Sequence, residues 1–296
     1  MTLAPRAVVV SRRSELDELL ARHGTRAAAA YFLRQRGRDL SDVDDRHQAQ
    51  RRALTAVGSA IPPDWRQGRV DRADLPRFLF GPEDVVIAVG QDGLVANVAK
   101  YLDGQPVIGV NPSRGVIPGV LVQHEPSAVA GMLRSRMLAV TQRPMVTASL
   151  DDGQELAGLN EVYCGHTTHQ SSRYVLSTPD GQRERQSSSG VVVGTGTGAT
   201  GWCGSIARAV RNPPELPKPD EAALCWFVRE AWSSPATGVS AVAGRLTGDQ
   251  RLEITCESEK LVVFADGLEP DHLDLSWGQR VRIGLSDRSL SLVVAS

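Results

Sequence analysis

The chain has 296 residues, with 33 Lys and Arg against 34 Asp and Glu, for a formal charge of −1. This length leaves room for two domains of roughly 100 to 200 residues each, and the charge balance argues against nucleic acid as a partner, since binding a phosphate backbone needs a basic excess. No apolar run approaches the roughly 18 residues needed to cross a bilayer, and Ala7 to Val10 is too short for the core of a signal peptide; the expectation is a cytoplasmic protein without a membrane partner.

In chain order, Ala7 to Val10 reads as a short buried strand. Ser14 follows as a helix N-cap with Asp17 and Glu18 in the first turn. Ala27 to Arg34 and about Asp45 to Val57 read as charged helices lying outside a sheet or forming an inserted arm. Ile61-Pro62-Pro63 breaks the pattern, and Arg69 to Leu75 reads as a short connection before another helix ending near Phe80. Val85-Val86-Ile87-Ala88-Val89 is then a strand buried on both faces, because an unbroken apolar run leaves no polar side.

The next four residues, Gly90-Gln91-Asp92-Gly93, are expected to turn tightly and bring backbone N–H groups towards a ligand. A helix over Leu94 to Leu102 places its positive end there, which suits phosphate. Asp92 is an acid where an anion cradle has no use for one, which points to proton or metal chemistry; the competing reading is an ordinary Asp-Gly turn. Pro106 to Val110 is another buried strand, closed by Asn111-Pro112. Strand, helix and strand form a βαβ unit with parallel strands, and both Asp92 and Asn111 lie past strand carboxyl ends, where open parallel sheets bind ligands.

A helix around Ala128 to Met137 leads into a region of closely spaced turns and short alternating stretches, which reads as all-β through Leu290 to Val294. Within it, Val191 to Val193 forms a strand. Thr195-Gly196-Thr197-Gly198 then supplies hydroxyls and open backbone for a polar ligand, before Thr200-Gly201-Trp202 and a helix over Ser205 to Val210. His166-Thr167-Thr168-His169 reads as a solvated loop and not a metal pair, and the proline-rich 211–219 segment as an extended surface connection. Cys164, Cys203, Cys225 and Cys256 contain no C-x-x-C pair and are expected as reduced thiols; no metal site is predicted.

Taken together, these motifs resemble the NAD kinase family. In that family an apolar strand enters Gly-Gly-Asp-Gly-Thr, a later strand ends Gly-Val-Asn, a Leu-Asn-Glu triplet opens the β domain, and a Gly/Thr loop follows. Here the counterparts are Gly90 to Leu94, Gly109-Val110-Asn111, Leu159-Asn160-Glu161 and Thr195 to Trp202. The pairing of Ser188-Ser189-Gly190 with the Thr-Gly-Thr-Gly loop looks closest to the mitochondrial-type branch.

The resemblance implies an α/β plus all-β fold, with an N-terminal open parallel-sheet, Rossmann-like domain over 1–123, with or without the last strand 286–296 rejoining it, and a C-terminal β-sandwich over 124–285. It implies transfer of the ATP γ-phosphoryl group to the 2′-hydroxyl of the adenosine ribose of NAD, with Mg²⁺ carried on the nucleotide, by a homodimer. Asp92 would be the base. Gly90, Gly93, Asn111, Ser189, Thr195, Gly196, Thr197, Gly198 and Asp266 would bind substrate or nucleotide, Asn160 and Glu161 would be the nucleotide-binding pair, and Thr200, Gly201, Trp202 and Ser205 would wrap the dinucleotide; Asp266-Gly267 is nearly as well explained as a plain turn.

Gln91 and Leu94 depart from the family's Gly and Thr. They keep two alternatives open: a kinase of the same fold acting on another nucleoside, sugar or specialised metabolite, and a non-catalytic NAD/NADP-binding protein.

Overall fold

The computed structural model describes residues 4–113, 119–135 and 137–294, and the chain divides into two compact units: residues 1–141 with 291–296, and residues 142–290. The boundary expected at residue 123 falls inside the first unit, because Val129 and Leu133, from the helix beyond it, belong to that unit's core.

The first unit is a parallel sheet with helices packed on it. β1 (Arg6–Ser11) is followed by α1 (Glu15–His23), α2 (Arg26–Arg34) and α3 (Leu40–Ala60), then by β2 (Arg66–Asp71), β3 (Asp84–Val89), α4 (Asp92–Ala99), β4 (Pro106–Val110) and α5 (Val129–Arg134). The sheet order is β2-β1-β3-β4, all parallel, and Ser291 and Leu292 add beside Pro106 and Val107 of β4. Every residue of β3 is buried, as its continuous apolar run requires.

On one face of the sheet Ala53 and Val57 of α3 and Val129 of α5 pack on Val9, Ile87 and Ile108; α4, wholly apolar apart from Asn97 beyond its first turn, packs against β1, β3 and β4. Ser14 caps α1 with a full capping box to Asp17, and Leu16, Leu19, Ala29, Leu33 and Val43 join the first three helices in a small core of their own.

Two expectations are corrected here. The 69–75 segment holds the end of a strand, β2, followed by a 3₁₀ turn over Arg72–Arg77 instead of a helix reaching Phe80. β2 escaped notice because it is a polar edge strand in which only Val70 is buried. α4 also starts at Asp92 and not at Leu94, so Asp92 and Gly93 belong to a first helical turn.

The second unit is a β-sandwich. Its strands are β5 (Val140–Leu150), β6 (Glu155–Gly158), β7 (Glu161–Gly165), β8 (Ser172–Ser177), β9 (Arg183–Ser188) and β10 (Val191–Thr195), then α6 (Trp202–Ala209), β11 (Ala223–Val228), β12 (Ala243–Thr247), β13 (Arg251–Cys256), β14 (Lys260–Ala265), β15 (His272–Ser276) and β16 (Arg280–Val293), whose last residues enter the first unit.

One sheet runs β12-β11-β10-β7-β14-β15, entirely antiparallel; the other runs β16-β13-β8-β9, with β5 beside β16 and β6. Val162, Cys164, Val191 and Val193 from the first sheet meet Tyr174, Leu176, Leu252, Ile254, Val281 and Ile283 from the second in a single core. Strand alternation turns Glu161 and Tyr163 to the opposite face, where α6 packs through Cys203 and Ala207.

Candidate active site

In the first unit the expected site residues gather at the carboxyl ends of β3 and β4. The Gly90 N–H donates to the Val110 carbonyl at 3.0 Å, the Asn111 N–H to the His124 carbonyl at 2.8 Å, and the Asn111 side-chain oxygen accepts from the Ser113 N–H at 2.9 Å.

Asp92 is the most constrained of them. Its Oδ2 accepts from the Val120 N–H at 2.7 Å, and its Oδ1 from the N–H groups of Leu121 and Val122 at 2.9 and 3.0 Å. A carboxylate has about four lone-pair positions, so among the described residues three are filled and one on Oδ2 stays open. Asp92 is therefore neither a solvated turn residue nor a fully consumed anchor; among the described residues it is an oriented carboxylate with one acceptor position left.

The glycines serve sterics and not an unusual backbone, since neither Gly90 nor Gly93 has a positive φ. A side chain on Gly90 would press at 3.1 Å on Leu94, which is 3 % exposed and packs back over the turn. Leu94 therefore belongs to the core and not to a phosphate pocket. Gly119 leaves space for the Asp92 carboxylate, whose Oδ1 would lie 2.9 Å from a Cβ there. Gln91 turns its side-chain oxygen to Arg12 Nη2 at 3.2 Å, a contact that sequence reading missed because the partners are 79 residues apart.

In the second unit, Asp266 organises the start of β7. It sits at φ 52° beside Gly267 at φ 67°, and the Leu268 N–H donates to the Ala265 carbonyl, a tight turn with positive φ at both central residues at the start of the β14–β15 loop. Its carboxylate accepts from the N–H groups of Leu159 (2.8 Å), Asn160 (2.7 Å) and Glu161 (3.3 Å), so turn and site roles coincide in one residue.

The Thr195–Gly198 loop lies against the same segment. Thr195 donates its hydroxyl to the Leu159 carbonyl at 2.6 Å and accepts from the Thr197 and Gly198 N–H groups, so its hydroxyl works inside the protein. A Cβ on Gly198 would overlap the Asn160 carbonyl oxygen, and one on Gly196 the Lys218 carbonyl. The proline-rich 211–219 segment is thus not a free surface connection but a wall behind this loop. Thr197 is 3 % exposed, and its hydroxyl oxygen has no hydrogen-bond partner among the described residues, a position open to a polar ligand group. Thr200 donates its hydroxyl to the Thr197 carbonyl at 2.8 Å, the Gly201 carbonyl accepts from the Ser205 N–H, and Ser205 is exposed on α6.

Burial, reinforced by the nearby Asp266 charge, pushes the Glu161 carboxyl up to about 8. At neutral pH it is mostly protonated, and so is able to donate as well as accept a hydrogen bond.

Two residues along β7, Tyr163 stacks on Trp202 (centroids 6.1 Å apart) and tilts against Phe264 at 4.9 Å, while the Arg229 guanidinium lies 5.3 Å over the Trp202 ring. Tyr163 donates its hydroxyl to the Ser189 carbonyl at 3.0 Å, tying Ser189 to the same cluster. These side chains, with His166 and His272, line a cavity of about 370 Å³. Tyr163, Phe264 and Arg229 were missed from sequence, although Tyr163 was within reach: residues i and i+2 of a strand share a face, and Glu161 was already singled out. His166 bonds Thr168 within its own loop, and among the described residues no cluster of His, Cys, Asp or Glu is arranged to hold a metal ion.

No protein-family model matches the chain, and no curated protein matches it in sequence. Among solved structures, it is similar to the crystal structure of an NAD kinase from Archaeoglobus fulgidus in complex with ATP, at a TM-score of 0.58 and 17 % identity, over 98 % of this chain and 93 % of that one. An α/β unit with a parallel sheet followed by a β-sandwich, superposable along nearly its whole length on that enzyme, gives this protein an NAD kinase-like fold.

Proposed function

We propose that the protein is an ATP-dependent kinase that phosphorylates the 2′-hydroxyl of the adenosine ribose of NAD to give NADP. The observation that carries the reading is Asp92: within this fold, three backbone N–H groups orient its carboxylate and leave one acceptor position for a hydroxyl proton. Mg²⁺ enters with ATP as part of the substrate. Gly90, Gly93 and Asn111 act on the phosphate side.

Glu161, largely protonated, and the amide of Asn160 hold ribose and base edges; the unpartnered hydroxyl of Thr197 takes a further ligand oxygen, and the Trp202–Tyr163 pair supplies a stacking platform for a ring. Thr195, Gly196, Gly198 and Asp266 keep these groups in place. The reading carries with it a cytoplasmic homodimer, which light scattering of the purified protein tests.

The test is an assay with ATP, Mg²⁺ and NAD, following NADP. The wild type should form NADP, and Asp92→Asn should lower kcat about 100- to 10,000-fold while NAD still binds. Absence of NADP from folded, NAD-binding wild type would refute the reading; phosphorylation of another hydroxylated acceptor would assign the fold to that substrate, and NAD binding without any turnover would leave a nucleotide-binding protein.

A further inference from the structure

The roles above leave the outward face of the second sheet of the sandwich unused. Along β8, β9, β13 and the first residues of β16, alternate side chains turn into the sandwich and those between them face away from it. The register sets Arg280, Thr255, Val175 and Arg185 in one row across the strands and Arg282, Glu253, Ser177 and Arg183 in the next, with Arg173 and Arg251 beyond the two rows at opposite ends.

Six arginines thus share a face on which these four strands place one carboxylate, Glu253, whereas a solvated sheet face ordinarily mixes both signs. Glu253 pairs with Arg282 at 2.9 Å, Glu257 just past β13 accepts from Arg185 at 2.7 and 2.8 Å, and Asp151 approaches Arg280 at 3.9 Å. Arg173, Arg183 and Arg251 have no carboxylate partner among the described residues, although Asp180 and Asp249 stand in the neighbouring turns. A total charge of −1 does not reveal this local excess.

At the Arg173 end the face opens into a cavity of about 430 Å³ lined by Trp232 and Trp277, which keep 70 % and 68 % of their surface exposed. The Trp232 N–H donates to the Ser187 carbonyl at 2.7 Å. Beside Trp277 the Gly278 N–H donates to the Cys256 carbonyl at 2.9 Å, and the Gln279 carbonyl accepts from the Cys256 N–H at 3.0 Å, so both loops are anchored to the sheet. One exposed apolar side chain is ordinary; two indoles on one cavity beside a row of cations are an aromatic patch in a basic surface.

We infer that this face binds single-stranded RNA, with bases stacked on Trp232 and Trp277 and the phosphate backbone running over the arginines. An acidic peptide would satisfy the charges and leave the indoles bare, and a duplex keeps its rings stacked inside. Glu257 in the cavity wall repels phosphate, but beyond its two bonds from Arg185 it keeps acceptor positions among the described residues that suit a ribose 2′-hydroxyl, a group DNA lacks. The inference overrides the expectation against nucleic acid drawn from the total charge, and it stands independently of the kinase reading.

The test is fluorescence anisotropy of an end-labelled, mixed-sequence RNA of about 12 nucleotides with the full-length wild type, the double variant Arg173→Ala/Arg183→Ala, Trp232→Ala, Trp277→Ala and, as a charge control on α2, Arg34→Ala. Wild type should bind with an affinity that falls with salt, and the double variant should bind more weakly with a log–log salt slope shallower by about 1.4, or about 0.7 per lost phosphate contact. Each Trp→Ala should lose about 5- to 150-fold, with Trp→Phe keeping most of the affinity. Arg34→Ala should match wild type, and DNA of the same sequence should bind more weakly. The substituted side chains are exposed, so unchanged urea midpoints separate a lost contact from a lost fold. Absence of RNA binding by wild type at low salt, full affinity in both tryptophan variants, or equal losses in Arg34→Ala and the double variant would overturn the inference. Displacement of the RNA by poly-glutamate as readily as by unlabelled RNA would overturn it in favour of an acidic protein partner, and equal affinity for DNA would overturn the assignment to RNA.

Discussion

Replacing Glu161 by Gln should stabilise the protein at alkaline pH and leave it nearly unchanged in acid. Burial first, and the Asp266 charge second, raise the folded-state Glu161 carboxyl from 4.5 to about 8. Below about pH 4.5 both folded and unfolded chains hold the proton, and the group contributes nothing. As pH rises from 4.5 to about 8 the unfolded chain releases its proton while the native state keeps it, so stability falls; above about 8 the loss is complete.

The interval from 4.5 to about 8, at about 1.4 kcal/mol per pH unit, sets an upper limit of about 5 kcal/mol. Glu161 is only partly buried, and residual solvation reduces the expected effect to about 2–3 kcal/mol. Gln keeps the shape and cannot ionise. Urea unfolding of wild type and Glu161→Gln at pH 5 and pH 9 isolates the effect, because titrating groups other than Glu161 and its neighbour Asp266 cancel in the difference. The variant should gain about 2–3 kcal/mol relative to wild type at pH 9 compared with pH 5. A difference that does not change between the two pH values would refute the desolvation argument and, with it, the protonated Glu161 assigned to the ligand site.

Other substitutions test the remaining geometry. Asp92→Asn replaces one carboxylate oxygen by an NH₂ that faces a backbone donor, and should cost about 1–3 kcal/mol in urea unfolding at pH 7 besides its effect on turnover; an unchanged unfolding midpoint would mean that the three N–H contacts do not orient the carboxylate. Gly196→Ala should destabilise by about 1–3 kcal/mol, since its Cβ overlaps the Lys218 carbonyl, whereas Gly93→Ala, with open space around it inside α4, should stabilise by about 0.5–1 kcal/mol; thermal unfolding that ranks the two the other way would contradict the packing described. Trp202→Ala should weaken NAD binding by about 1–3 kcal/mol, or 5- to 150-fold, with Trp202→Phe keeping most of the affinity; equal losses from both variants would argue against stacking.

Much of the first unit was legible because its signals are local. The unbroken Val85–Val89 run required a strand covered on both faces, Ser14 with Asp17 announced a capped helix start, and strand-helix-strand spacing dictated parallel pairing of β3 and β4. β2 stayed hidden because an edge strand needs no apolar alternation, and α4 began two residues early because an apolar pattern cannot show that Asp92 and Gly93 already have helical geometry. In the second unit, alternation and Asp-Gly turns pointed to strands. They could not show that the Asp266 turn reaches back to the amides of Leu159 to Glu161.

The amino-acid sequence by itself determined the two kinds of sheet, the boundary residues of several helices, and the positions of Asp92 and the Thr-Gly loop after buried strands, because propensity, period and capping act over a few neighbouring residues. Only the tertiary structure decided what those side chains do. The partners of Asp92 lie 28 to 30 residues away, that of Gln91 79, and those of Asp266 105 to 107. Hydrogen-bond saturation and desolvation are properties of groups brought together by topology. The same Glu that in isolation would be an ordinary carboxylate becomes, beside Asp266 in the second unit, an acid titrating at about 8.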